Sequence, residues 1–116
     1  MRNNYVFLRG NLQQVIKTTI LNPVDMIEVR FHVITGHREL GDHHLVIAYG
    51  KLAIDVLAAA NAELLPTECM IEGWLQSDDD HSWTVAQEVT MLLGRSQRKR
   101  LRWEIERLKM NILQVE

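Results

Sequence analysis

Trp74, Trp83 and the cations between Arg95 and Arg102 are the side chains of this 116-residue sequence whose types and spacing suggest chemistry. That chemistry is adhesion. The two tryptophans stand symmetrically about the polar segment SDDDHS (77–82), and they are directly opposed if Asp78 and Asp79 form a two-residue loop. Such a pair is either a platform for unpaired bases, each stacked base being worth about 1–3 kcal/mol, or a cross-strand aromatic contact that steadies a short hairpin. Arg95, Arg98, Lys99, Arg100 and Arg102 form the one dense basic patch. It reads either as a set of phosphate contacts or as a solvated helical face. Histidines 32, 37, 43, 44 and 81 repeat no ligand spacing and Cys69 has no CxxC partner, so neither a metal nor a cofactor is expected. No Ser-His-Asp order, nucleophile elbow, glycine-rich phosphate loop or carboxylate pair stands out. An enzyme with a small-molecule substrate is not expected.

Charge is divided unevenly along the chain. Residues 1–94 hold six Lys/Arg against twelve Asp/Glu, a net of −6, whereas residues 95–109 hold seven against two, a net of +5. A polyanion should therefore meet the C-terminal segment first. At 47% hydrophobic and 24% charged the composition is that of an ordinary globular chain with one core. The longest apolar-biased run, 52–65, is too short to cross a bilayer, and the N-terminus lacks the features of a secretory signal. A single cysteine allows no internal disulfide and suits a reducing cytoplasm.

The elements that must position these groups follow from periodicity. Residues 4–12 alternate Val6, Leu8, Gly10 and Leu12 with Tyr5, Phe7, Arg9 and Asn11, the period of a strand. Asn22-Pro23 reads as a loop, residues 26–35 as a second strand, 36–42 as a turn and 43–49 as a third strand. From Lys51 the period becomes helical, with Leu52, Val56, Ala59 or Ala60 and Leu64 on one side, and Pro66 closes that helix. Residues 68–76 and 83–92 are strands about the acidic turn, with Cys69 on the core parity beside Ile71. Five strands with one helix between the third and fourth predict an all-β fold, the five-stranded Greek-key barrel called the OB-fold. The predicted organisation is an OB-fold domain over 1–94 and a basic amphipathic helix over 95–116. That helix carries an apolar stripe of Leu101, Ile105, Leu108 and Ile112, which must be buried. It is expected to pair with the same helix of another subunit, the alternative being a seat on its own barrel at Leu45 and Ile47.

Three segments in this order resemble the bacterial single-stranded DNA-binding (SSB) proteins. They are Asn4-Tyr5-Val6-Phe7-Leu8-Arg9-Gly10-Asn11-Leu12, Tyr49-Gly50-Lys51-Leu52-Ala53 and Ile71-Glu72-Gly73-Trp74-Leu75, and the likeness spans residues 4–94. The resemblance implies a cytoplasmic homo-oligomer, dimer or tetramer, that binds single-stranded DNA, or RNA, without strong sequence preference in replication, recombination or repair. It puts Tyr49 at the family's base-stacking aromatic and His43 where the family has a tryptophan. Arg9 and Arg30, with the basic patch, would meet phosphates. The chain reads as a divergent, short member without the family's acidic C-terminal tail. Its acidic hairpin and the apolar Leu45 and Ile47 support a rival reading, an OB-fold oligomerisation or protein-interaction module that has lost nucleic-acid binding.

Overall fold

Alternation along the sequence becomes the inside and outside of a closed barrel. The computed structural model describes residues 4–20, 27–36 and 41–113, with the side chains of 112 and 113 excepted. Strands β1 (Tyr5–Thr19), β2 (Glu28–Thr35) and β3 (Asp42–Tyr49) precede helix α1 (Lys51–Asn61), and strands β4 (Thr67–Ser77) and β5 (Ser82–Met91) precede helix α2 (Arg95–Leu113). The barrel order is β1-β2-β3-β5-β4, the predicted OB-fold. Val29, Phe31 and Val33 of β2 are fully buried, while Glu28, Arg30 and His32 between them face outward. Leu12, Val46, Ala48, Cys69 and Ile71 complete the core with Ala53 and Val56 of α1. Burial pushes the Cys69 thiol up to about 11, so it behaves as a small apolar residue.

The first strand is longer than its alternation suggests. Its first half pairs antiparallel with β4, Tyr5 opposite Trp74 through Leu12 opposite Thr67. Its second half pairs with β2, and the register shifts between Leu12 and Gln14 and between Val15 and Lys17. Each irregularity adds a residue and flips the parity, so the period of two is lost after Leu12 although the strand continues. The first helix ends earlier than Pro66, because Glu63 takes a positive φ of 59° and the amides of Ala62, Glu63 and Leu64 bond back to the last turn. The loop read at Asn22-Pro23 and most of the 36–42 turn lie outside the described residues.

Two glycines let neighbouring strands cross at closer range than a side chain permits. A Cβ on Gly10 would lie 2.3 Å from the Ile34 carbonyl oxygen, and one on Gly73 would lie 2.1 Å from that of Val85. Both obstacles are backbone, which cannot rotate away. Gly10→Ala and Gly73→Ala should each destabilise the barrel by about 3 kcal/mol, the upper range for overpacking. A fall in Tm of about 10 °C or more in circular dichroism melts is the expected result.

Candidate nucleic-acid interface

Strands β2 and β3 and the β4–β5 hairpin enclose one groove on the outside of the barrel. Arg30 stands opposite Ile47 and His32 opposite Leu45 in the antiparallel β2–β3 ladder, so these four side chains share a face. Strand β3 meets β5 in parallel at only two pairs, Val46 with Thr84 and Ile47 with Val85. The groove, about 600 Å³ in volume, is lined by Arg30, His32, His43, Leu45 and Ile47 from one side and Asp78, His81, Ser82 and Trp83 from the other. Ile47 is only 4% exposed and forms the floor. The apolar face expected to be an open seat is thus partly covered by the hairpin. His43 meets His32 edge to face at 6.1 Å between ring centroids. Tyr49, two residues beyond Ile47, is 44% exposed at the point where Gly50, with a φ of 62°, turns the chain into α1.

The charges of the groove are largely internal. The Arg30 Nε donates to Glu28 Oε1 at 2.8 Å. Asp78 begins the turn between β4 and β5, where its carboxylate accepts the amides of Asp80 at 2.9 Å and His81 at 2.7 Å. Those two hydrogen bonds hold the Asp78 carboxyl below the usual carboxylate range. Ser77 pairs with Ser82, and the Asp78 amide donates to the His81 carbonyl at 2.9 Å. The loop between the strands therefore has four residues, 78–81, so the condition for opposed tryptophans, a two-residue loop of Asp78 and Asp79, is not met.

That register corrects the tryptophan pair. Trp74 stands opposite Val85 and Trp83 opposite Gln76. Trp74 packs edge to face on Tyr5 of β1, with ring centroids 5.8 Å apart, while Trp83 lines the groove. Tyr5 donates its hydroxyl to Glu72 Oε1 at 2.5 Å, and Phe7 on the same strand is 54% exposed. Arg9 lies on this β1–β4 wall too, paired with Glu68 at 3.0 Å, so it is removed from the groove.

None of the basic patch lines the groove. Arg95, Arg98, Lys99, Arg100 and Arg102 are all exposed on the first turns of α2, whose start is capped by Gly94 and the Gln97 side chain that accepts its amide at 2.9 Å. Helix α2 packs against α1 of its own chain, which is neither of the seats expected for its stripe, the same helix of another subunit or Leu45 and Ile47. Arg100 donates to the Ala62 carbonyl just past the end of α1. At the other end, burial raises the Asp55 carboxyl, and the ammonium groups of Lys51 and of Lys109 on α2 draw it back. The two helices therefore run antiparallel. Leu101, Ile105 and Leu108 are half-buried, and the side chain of Ile112 lies outside the described residues.

Sequence reasoning did not assemble His32, Asp78, His81 and Ser82 into the site. The parity of β2 was signal enough for His32, which shares it with Arg30. The hairpin residues depend on the parallel β3–β5 contact, which leaves no local pattern.

Among chains of known structure, the fold is shared by the SSB domain of a Synechococcus protein (13% identity, TM-score 0.63, covering 78% of this chain and 97% of that one). It is shared too by the N-terminal domain of the PriB protein from Thermoanaerobacter tencongensis, described as dimeric (15%, TM-score 0.54, 80% and 100%). A third is the Plasmodium falciparum SSB in complex with single-stranded DNA (15%, TM-score 0.57, 80% and 97%). No protein-family model matches the chain, and no curated protein does. The barrel is thus that of the SSB proteins, at the level of fold.

The Asp78 turn has a defined pH dependence. Because its folded pKa is depressed, its contribution is present above the unfolded value near pH 4 and is lost as pH falls through the lower folded value. Amide signals of Asp80 and His81 should keep their turn-specific NMR shifts from pH 7 down to about pH 4 and lose them below it. In Asp78→Asn, whose amide oxygen can still accept both bonds, the shifts should persist to lower pH.

Proposed function

We propose that this protein binds single-stranded DNA without strong sequence preference, along the groove between β2–β3 and the β4–β5 hairpin. The carrying observation is the row on β3: His43, the floor at Leu45 and Ile47, and the exposed Tyr49, faced by Trp83 across the groove. Flat rings around an apolar floor suit stacked bases, which every sequence offers. Tyr49 and Trp83 are assigned the principal stacking roles and His43 a lesser one. Trp74, packed on Tyr5, serves the hairpin and the β1–β4 wall. The reaction is binding alone, in the service of replication, recombination or repair.

No helix among the described residues is long and apolar enough to cross a membrane, and the free Cys69 is buried, which suits the cytoplasm proposed for it. Exposed Tyr5 and Phe7 beside Trp74 support self-association as a dimer or tetramer, since adjoining aromatics on an outer wall are an interface composition. The rival, a protein-interaction module, draws on the pairing of Arg30 with Glu28 and on the Asp78 carboxylate in the groove.

Tyr49→Ala and Trp83→Ala should each weaken binding of labelled oligo-dT by about 10-fold, as expected for one lost stack. Fluorescence anisotropy at about 50 and 200 mM salt checks this, and wild-type affinity should fall between the two. Full affinity in both variants would transfer the groove to the rival reading.

A further inference from the structure

Helix α2 carries a feature that the groove does not use. Trp103 is 74% exposed, more than any other large hydrophobic side chain among the described residues. Lys99 stands one turn before it and Arg107 one turn after it, on the same side of the helix. Arg98 and Arg102 flank that stripe. Arg107 is held by Glu104 at 2.8 Å and Arg100 by the Ala62 carbonyl. Among the described residues, no ion pair or side-chain hydrogen bond engages Arg95, Arg98, Lys99 or Arg102.

This arrangement works against the isolated helix. Arg95 with Lys99, and Arg98 with Arg102, are like charges four residues apart, each pair unfavourable by a few tenths of a kcal/mol. Cations in the first turns also oppose the helix dipole, which has no acidic residue there to offset it. An indole left in water gains nothing from folding. A ligand that is both anionic and flat relieves all three. An acidic peptide would answer the charges and leave the indole idle, and a duplex would answer the charges but offers no unstacked base.

We infer that the outer face of α2 is a second single-strand site, in which Trp103 stacks an unpaired base and Arg98, Lys99 and Arg102 hold the adjoining phosphates. It rests on the ligand proposed for the groove but on a separate element. The antiparallel helix pair supplies the connection. Helix α2 runs antiparallel along α1, with Arg100 at the Ala62 carbonyl and the Lys109 charge felt at Asp55 in the second turn of α1, and α1 begins two residues after Tyr49. A strand leaving the groove at Tyr49 thus meets the far end of α2 and follows it for about 15 Å, at ~1.5 Å per residue, to Lys99. Two linked contacts make affinity depend on strand length more steeply than one contact does.

The test compares labelled oligo-dT of about 8 nucleotides, which one barrel can hold, with one of about 30, and an equal-length duplex. Trp103→Ala should weaken the long strand about 10-fold, leave the short one unchanged, and be largely rescued by Trp103→Phe, which keeps a flat ring. Arg98→Gln/Lys99→Gln/Arg102→Gln should lower the salt slope for the long strand by about 2. Circular dichroism confirms that the exposed substitutions leave the fold intact. Unchanged long-strand affinity in Trp103→Ala overturns the inference, and if Tyr49→Ala still weakens both lengths the groove reading stands without it. Loss of binding in the α2 variants alone, with Tyr49→Ala silent, retains the helix site and removes the groove. Equal binding of duplex and single strand with no effect of Trp103→Ala, or no binding of any nucleic acid by the wild type, overturns the helix site.

Discussion

Barrel closure presses backbone on backbone at two crossings, Gly10 against the Ile34 carbonyl and Gly73 against that of Val85, and the placement of the groove depends on the second. Gly73 lies at the register shift between β4 and β5. Val85, whose carbonyl it meets, is also the partner of Ile47 in the short parallel contact that joins β5 to β3. The approach that bends the hairpin around the barrel therefore sets where Trp83 stands above the Ile47 floor. With only two residue pairs joining β3 to β5, there is little other pairing to correct an error there.

The same crossings explain why the fold was legible and the site less so. Gly10, Gly50 and Gly73 carry much of the likeness to the SSB proteins, and each serves closure or a turn. Matching them predicts the barrel. Of the segments that carry the likeness, Tyr49 alone adjoins the groove exposed, whereas Tyr5 and Trp74 are engaged with each other on another wall. The tryptophans are not opposed because Asp78 caps a four-residue turn through its side chain, and the sequence SDDDHS fits either loop length. Helix α2 was rightly seen as amphipathic, yet its stripe does not name its partner. Among the described elements it is α1 that α2 packs against.

The groove offers stacking surface without free positive charge. The groove holds rings and an apolar floor, with its arginine neutralised by Glu28 and a carboxylate in its lining. Arg95, Arg98, Lys99 and Arg102, which form no ion pair among the described residues, lie together on α2. In an apolar, partly enclosed groove a buried cation would need a partner of its own, whereas on an exposed helix it needs none. Such a division lets the barrel keep a closely packed outer face.

Strand β1 has an implication for how the chain reaches this state. Its first half waits for β4, so Tyr5 cannot find Trp74 until more than half of the polypeptide has been made. Pairings this distant in sequence form slowly, because the intervening chain must be ordered before they are rewarded. On a ribosome, β1 and β2 can form a meander early, but the ring stays open until β4 and β5 have emerged. During that interval Tyr5 and Phe7 sit on a strand with a free edge, the situation in which charged residues guard against pairing with other chains. Arg9, which holds Glu68 in the finished barrel, is placed to act as that guard while the nascent ring is incomplete.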